Sequence, residues 1–197
     1  MKEALVERNS LILHAASFAK GIGNEKTNSL GYLQRLEFAL REDLELSCST
    51  FGFGDSFSKG DIWGQVGLIL FPKSPDSITL VSPCDGGTSI DPDNFGRRVH
   101  PRDPITKRAI VESMDQRAKG STNEWCLLAY DALGIYVEPP IQYSEGSKIL
   151  DIDLSEVFEA FPEQKVYGFI GKQLFDVQKN GSVGSNISAI DFYSRVN

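Results

Sequence analysis

Hydroxyls, glycines and aromatic rings crowd into one stretch of this chain, residues 44–93, which reads LELSCSTFGFGDSFSKGDIWGQVGLILFPKSPDSITLVSPCDGGTSIDPD. Its first run alternates. Leu44, Leu46 and Cys48 turn toward a core, and Glu45, Ser47 and Ser49 share the other face. Thr50 and then Phe51-Gly52-Phe53-Gly54-Asp55 follow directly. Glycine lets backbone approach a ligand closely, and a flat aromatic stacks on a ring. Ser47, Ser49, Thr50, Phe51 and Phe53 are therefore candidate contacts for a nucleotide cofactor. The plainer alternative is a solvated strand face and a loop with buried phenylalanines. Asp85, Asp91 and Asp93 lie close enough in sequence to hold a divalent cation but lack the EF-hand pattern, so a solvated acidic loop is the expectation. His14 sits in the apolar run LILHAAS, where a satisfied core histidine is the bland reading. Glu124 opens a long apolar run between Asn123 and Trp125, where a lone acid is ordinarily just exposed. The chain contains no Gly-x-Ser-x-Gly elbow, which places a triad hydrolase last.

These residues need strands to position them. Residues 64–71 read as a central strand covered on both faces. Residues 72–76 (PKSPD) form a turn, and residues 78–82 are a short β-branched strand, so the two strands are expected as a hairpin. Before the stretch come an early helix and a short strand through His14. A helix with Leu30, Leu33, Leu36 and Leu40 on one stripe follows, capped by Asn28 or Ser29. After it, Asp103-Pro104 starts a helix toward Ala118. Residues 124–130 and 133–137 read as strands, and Asp153 caps a helix carrying Leu154, Val157, Phe158 and Phe161. Residues 165–170, 173–177 and 189–196 read as closing strands. The clustering of strands predicts an α+β fold of mainly antiparallel strands in a split or two-sheet core, with three or four helices.

The length, 197 residues, suits a single domain over residues 1–197, with 150–197 as an optional appended helix-plus-strands subdomain. A hydrophobic fraction of 41% supports a core, and 24% charged residues argue against disorder. The net charge of -7 gives no drive for non-specific nucleic-acid binding, although Arg97, Arg98, His100, Arg102, Lys107 and Arg108 make one basic stretch. That stretch, with a histidine and acids, keeps a small nuclease as an alternative. No apolar run is long enough to span a bilayer, and the N-terminus lacks the basic start of a signal peptide. Cys48, Cys84 and Cys126 show neither zinc nor disulfide spacing, so no metal is expected and a reducing cytoplasm is the expected compartment.

Taken in order, the residues resemble ADP-ribosyltransferases over residues 11–137. A histidine ends an early strand (His14), a helix follows, a strand carries Ser47-Cys48-Ser49-Thr50, and a glutamate opens a later strand (Glu124 in STNEWCLLAY). Where that family often places an acid or glutamine two residues before the glutamate, this chain has Thr122, which counts against transfer to arginine. The resemblance implies NAD as substrate and Glu124 as the catalytic carboxylate. It implies that His14 contacts ribose or phosphate, that Ser49 or Thr50 positions the nicotinamide side, and that Phe51 and Phe53 stack on the leaving ring. It also implies a protein or nucleic-acid acceptor and, for a toxin-type member, a neutralising partner protein. The competing class is a non-enzymatic protein-binding module of the inhibitor or immunity type.

Overall fold

The computed structural model describes residues 1–16, 31–41, 44–53, 66–83, 105–115, 123–138, 153–170 and 173–195. In chain order these form α1 (Lys2–Glu7), β1 (Ser10–Ala15), α2 (Tyr32–Leu40), β2 (Leu46–Gly52), β3 (Val66–Pro72) and β4 (Ile78–Ser82). Then come α3 (Lys107–Asp115), β5 (Glu124–Leu127), β6 (Tyr130–Val137), α4 (Leu154–Ala160), β7 (Val166–Ile170), β8 (Gln173–Val177), β9 (Val183–Ile187) and α5 (Ala189–Ser194). The α+β class holds. The strands lie in one hydrogen-bonded sheet of nine, ordered β4-β5-β2-β1-β3-β6-β7-β8-β9. Only β6 and β7 run parallel, and the described residues carry five α-helices rather than three or four.

The expected hairpin of β3 and β4 does not form. β3 pairs with β1 and β6, whereas β4 pairs with β5. The turn between them is a 3-10 segment, Pro75–Ser77, closed by the Ser74 and Ser77 hydroxyls 3.1 Å apart. The segment between β5 and β6 turns at the same level. Lys73 N–H donates to the Ala129 carbonyl (3.2 Å) and Leu128 N–H to the Ser77 carbonyl (2.8 Å). The pair β3/β6 thus continues into β4/β5 around a shared corner. Residues 128 and 129 therefore join two strands that are four places apart in the sheet. Four strand spacings span about 19 Å in a flat sheet, and three Cα steps reach at most about 11 Å. The sheet must curl. Phe51 of β2 and Phe169 of β7, also four places apart, meet edge to face at 5.1 Å.

The C-terminal segment corrects a second expectation. Residues 189–194 are helical because Ser188 caps them: its Oγ accepts from Asp191 N–H (3.1 Å) and donates to the Asp191 carboxylate (2.6 Å). Ala189, Phe192 and Tyr193 fall on one buried stripe of α5. Phe192 packs on Tyr167 and Tyr193 on Phe71. Asp153 does cap α4, accepting from Ser155 N–H at 2.8 Å. α2 meets the sheet where the Tyr130 hydroxyl donates to the Ala39 carbonyl (2.6 Å), and α3 meets it at Trp125. Arg8 grips Asp115 through two nitrogens at 2.6 and 2.8 Å, tying the turn after α1 to the last residue of α3. No described helix is long and apolar enough to cross a membrane.

Candidate functional site

β1, β2 and β5 are neighbours in the sheet, so the segments carrying His14, the serines and Glu124 lie side by side. The strand between them changes partners. β2 pairs with β5 through residues 46–48 and with β1 through residues 49–52. The β1–β2 ladder ends at the Leu13–Ser49 pair, although β1 continues to Ala15 and β2 begins at Leu46. Beyond that pair, side chains replace backbone bonds. His14 Nδ1 lies 2.8 Å from the Ser47 carbonyl. A carbonyl only accepts, so Nδ1 carries the proton. Ser47 Oγ in turn donates to Glu124 Oε1 at 3.2 Å. Ser47 thus touches both residues, His14 through its backbone carbonyl and Glu124 through its hydroxyl.

The electrostatics fix the state of His14. Burial lowers its pKa, and the Ser47 carbonyl opposes that only in part. The ring is neutral at physiological pH, with Nδ1–H committed and Nε2 left as an acceptor. A neutral Nε2 suits a hydroxyl donor such as ribose and gives nothing to a phosphate, which only accepts. Burial, with Cys126 and Glu124 nearby, raises the Cys48 thiol well above its ordinary value. Cys48 is therefore no thiolate nucleophile.

The other sequence-assigned residues separate into distinct roles. Ser49 Oγ donates to the Asn123 carbonyl at 2.7 Å, beside Glu124 but engaged. Thr50 is buried, its N–H donating to Asn123 Oδ1 (2.8 Å) and its hydroxyl accepting from Asn123 Nδ2 (2.6 Å). It braces the wall and offers no group to a ligand from that side chain. Phe51 is fully buried against Phe169, and Phe53 is half-buried 6.4 Å from the same ring. The stacking role assigned to Phe51 fails because its ring is used in the core. Gly54, Asp55, Asp85, Thr88, Asp91, Asp93, Arg97, Arg98, His100, Arg102 and Thr122 lie outside the described residues. Lys107 and Arg108 are exposed on α3, where Arg108 pairs with Glu112 one turn on. No family model, curated protein or solved structure matches this chain.

Two buried polar residues escaped the sequence reading. Asn123 was legible only as a neighbour of Glu124, yet it is wholly buried and ties β5 to β2 and α3. Glu138 directly follows the strand read at residues 133–137 and has no role in that reading. It is a buried carboxyl whose pKa burial pushes up to about 7. A separate open groove of about 400 Å³ between β6, β7 and α5, lined by Asp131, Glu163, Lys165, Tyr167 and Arg195, contains none of the assigned residues.

Glu138 yields a pH prediction. Between the unfolded carboxylate value near 4.5 and the folded value of about 7, the native chain holds a proton that the unfolded chain has lost. Stability from this group therefore falls as pH rises through that window and is level above it. With its partial contact to solvent discounted, the loss is about 1–2 kcal/mol. Glu138→Gln should flatten the decline in Tm between pH 5 and 7, and an unchanged slope would remove Glu138 from the account.

Proposed function

We propose that this chain is an NAD-dependent ADP-ribosyltransferase-like enzyme that cleaves the nicotinamide–ribose bond. The observation that supports the reading is that Ser47 of β2 contacts both His14 of β1, through its carbonyl at 2.8 Å, and Glu124 of β5, through its hydroxyl at 3.2 Å, which brings residues far apart in sequence to neighbouring strands. In the reaction the bond from ribose C1′ to the cationic ring nitrogen breaks, and nicotinamide leaves neutral with the bonding pair. The ribose carbon becomes cationic, as in glycoside hydrolysis. Glu124 supplies a carboxylate to that developing charge, held toward it by the Ser47 hydroxyl. His14 Nε2 accepts a ribose hydroxyl. An acceptor group of a protein, a nucleic acid or water then attacks C1′ and loses its proton. The Cys48 thiol, held protonated by burial, opposes a cysteine nucleophile at this site.

Thermal denaturation with NAD tests the reading. A ligand at a hundred times its Kd stabilises the native state by about 2.7 kcal/mol, about 5–10 °C in Tm for a chain of this size. His14→Ala should remove most of that shift, since its contact holds the ribose in the bound state as well as during reaction. No shift of the wild-type chain in millimolar NAD, with a tight protein partner retained on a column, would instead make it a binding module.

A further inference from the structure

We propose that Asn123 is a positioning residue for Glu124, with Ser113 of α3 as its anchor; this rests on the ADP-ribosyltransferase reading of the same site. Every polar group of the Asn123 side chain is used. Oδ1 accepts from Thr50 N–H at 2.8 Å, and Nδ2 donates to Thr50 Oγ1 at 2.6 Å and to the Ser113 carbonyl at 3.1 Å. Thr50 N–H donates and the Ser113 carbonyl accepts, so the amide has one orientation. Its backbone carbonyl takes the Ser49 hydroxyl at 2.7 Å. On the far side of Glu124, Trp125 is fully buried, and its indole N–H donates to Ser113 Oγ at 2.9 Å. Ser113 Oγ donates onward to the Ile110 carbonyl at 2.7 Å.

The residues on either side of Glu124 are thus both tied to Ser113. Strand alternation turns Asn123 and Trp125 to one face and Glu124 to the other. Glu124 rises from the strand between these two tied residues, so the backbone at 123 and 125 sets where its side chain begins, and the Ser47 hydroxyl contacts its carboxylate. α3 is itself held from its last turn by Arg8 on Asp115. The frame fixes where the carboxylate sits relative to the ribose carbon. A displacement on the order of 1 Å from the productive geometry costs up to about a hundredfold in rate without a matching loss of binding.

The test compares Asn123→Ala, Ser113→Ala and Ser113→Thr with the wild-type full chain, using NAD itself. Nicotinamide release is measured together with NAD affinity, binding stoichiometry and Tm. Asn123→Ala should lower the rate per bound NAD by about 10–100-fold, with Kd changed less than about threefold. Ser113→Ala keeps the carbonyl that Asn123 uses and loses the indole contact and the bond to the Ile110 carbonyl, so its fall should be smaller, about 3–10-fold. Ser113→Thr keeps the hydroxyl and should recover most of it. Should Asn123→Ala prove unfolded, Asn123→Ser takes its place in the same comparison. Rates of the Asn123 variant that fall only with the folded fraction overturn its positioning role, serine variants that match wild type per bound NAD remove the Ser113 hydroxyl and Trp125 from the frame, and both leave the enzyme reading intact. A wild-type chain that neither binds nor cleaves NAD overturns both.

Discussion

Glu124→Gln should reduce nicotinamide release from NAD by about a hundredfold or more while leaving NAD affinity within a few-fold of wild type. Glutamine keeps the length of the side chain and still accepts the Ser47 hydroxyl, now through its amide oxygen. What it loses is the negative charge. In the ground state the ribose carbon is neutral, so the charge has little there to hold. In the transition state that carbon is cationic, and a fixed carboxylate in a partly desolvated site acts on it without reorganisation. An interaction present only in the transition state appears in kcat and leaves the substrate complex almost untouched. The same substitution should leave Tm nearly unchanged, because Glu124 is only half-buried and lies outside the core. Steady-state release of nicotinamide with an isothermal binding measurement separates the two quantities. Equal turnover for both proteins would remove Glu124 from the chemistry, and a large loss of affinity at equal turnover would make it a ground-state binding residue.

The sequence made the positions of these residues legible better than it made their partners. Alternation in residues 44–50 placed Leu44, Leu46 and Cys48 inside and Ser47 outside; Leu46, Cys48 and Ser47 follow it, because period-two burial is a property of each strand taken alone, whereas Leu44, ahead of the strand, is exposed. The pairing of β3 with β1 and β6 was not legible. A short Pro-Ser turn between two apolar runs looks like a hairpin, and only the bonds from Leu128 and Lys73 show the two segments turning a corner together. The strand read at residues 189–196 failed for a local reason. Ile190 and Val196 favour a strand by type, but Ser188 and Asp191 have the spacing of a helix cap, and the cap prevails. Thr50 and Phe51 followed the serines in the motif and were grouped with them. Alternation and the chain's own curl send Phe51 into the aromatic core and Thr50 onto Asn123, because a motif in sequence has two faces once it is a strand. The raised pKa of Glu138 depends on its burial in the fold, which its place in the sequence does not reveal.

Gly67→Ala should be among the most destabilising single-methyl additions in the chain, and Gly67→Val should abolish soluble folding. Gly67 lies on β3 opposite Ala15 of β1 and Tyr136 of β6. A Cβ added there would stand 2.0 Å from the His14 carbonyl oxygen and 2.7 and 2.9 Å from the Tyr136 ring. The first neighbour is backbone and cannot swing aside, and the second is a wholly buried ring. Relief therefore requires β1 and β3 to part at the residue that carries His14. Overpacking of this kind costs about 1–3 kcal/mol and more where backbone must move, set against a total stability of about 5–15 kcal/mol. Gly31→Ala is the comparison, since nothing lies within 4 Å of its added methyl. Its cost should stay near the few tenths to about 1 kcal/mol of a lost helix-start glycine. Urea denaturation of the two variants gives the difference directly. If the chain binds NAD as proposed, the Gly67 variant should also lose the expected rise in Tm with NAD before it loses the fold, because the strand that shifts first is the one holding His14. A Gly67→Ala protein as stable as Gly31→Ala would mean that His14 and Tyr136 do not close on β3 as described, and the geometry of the site would fall with it.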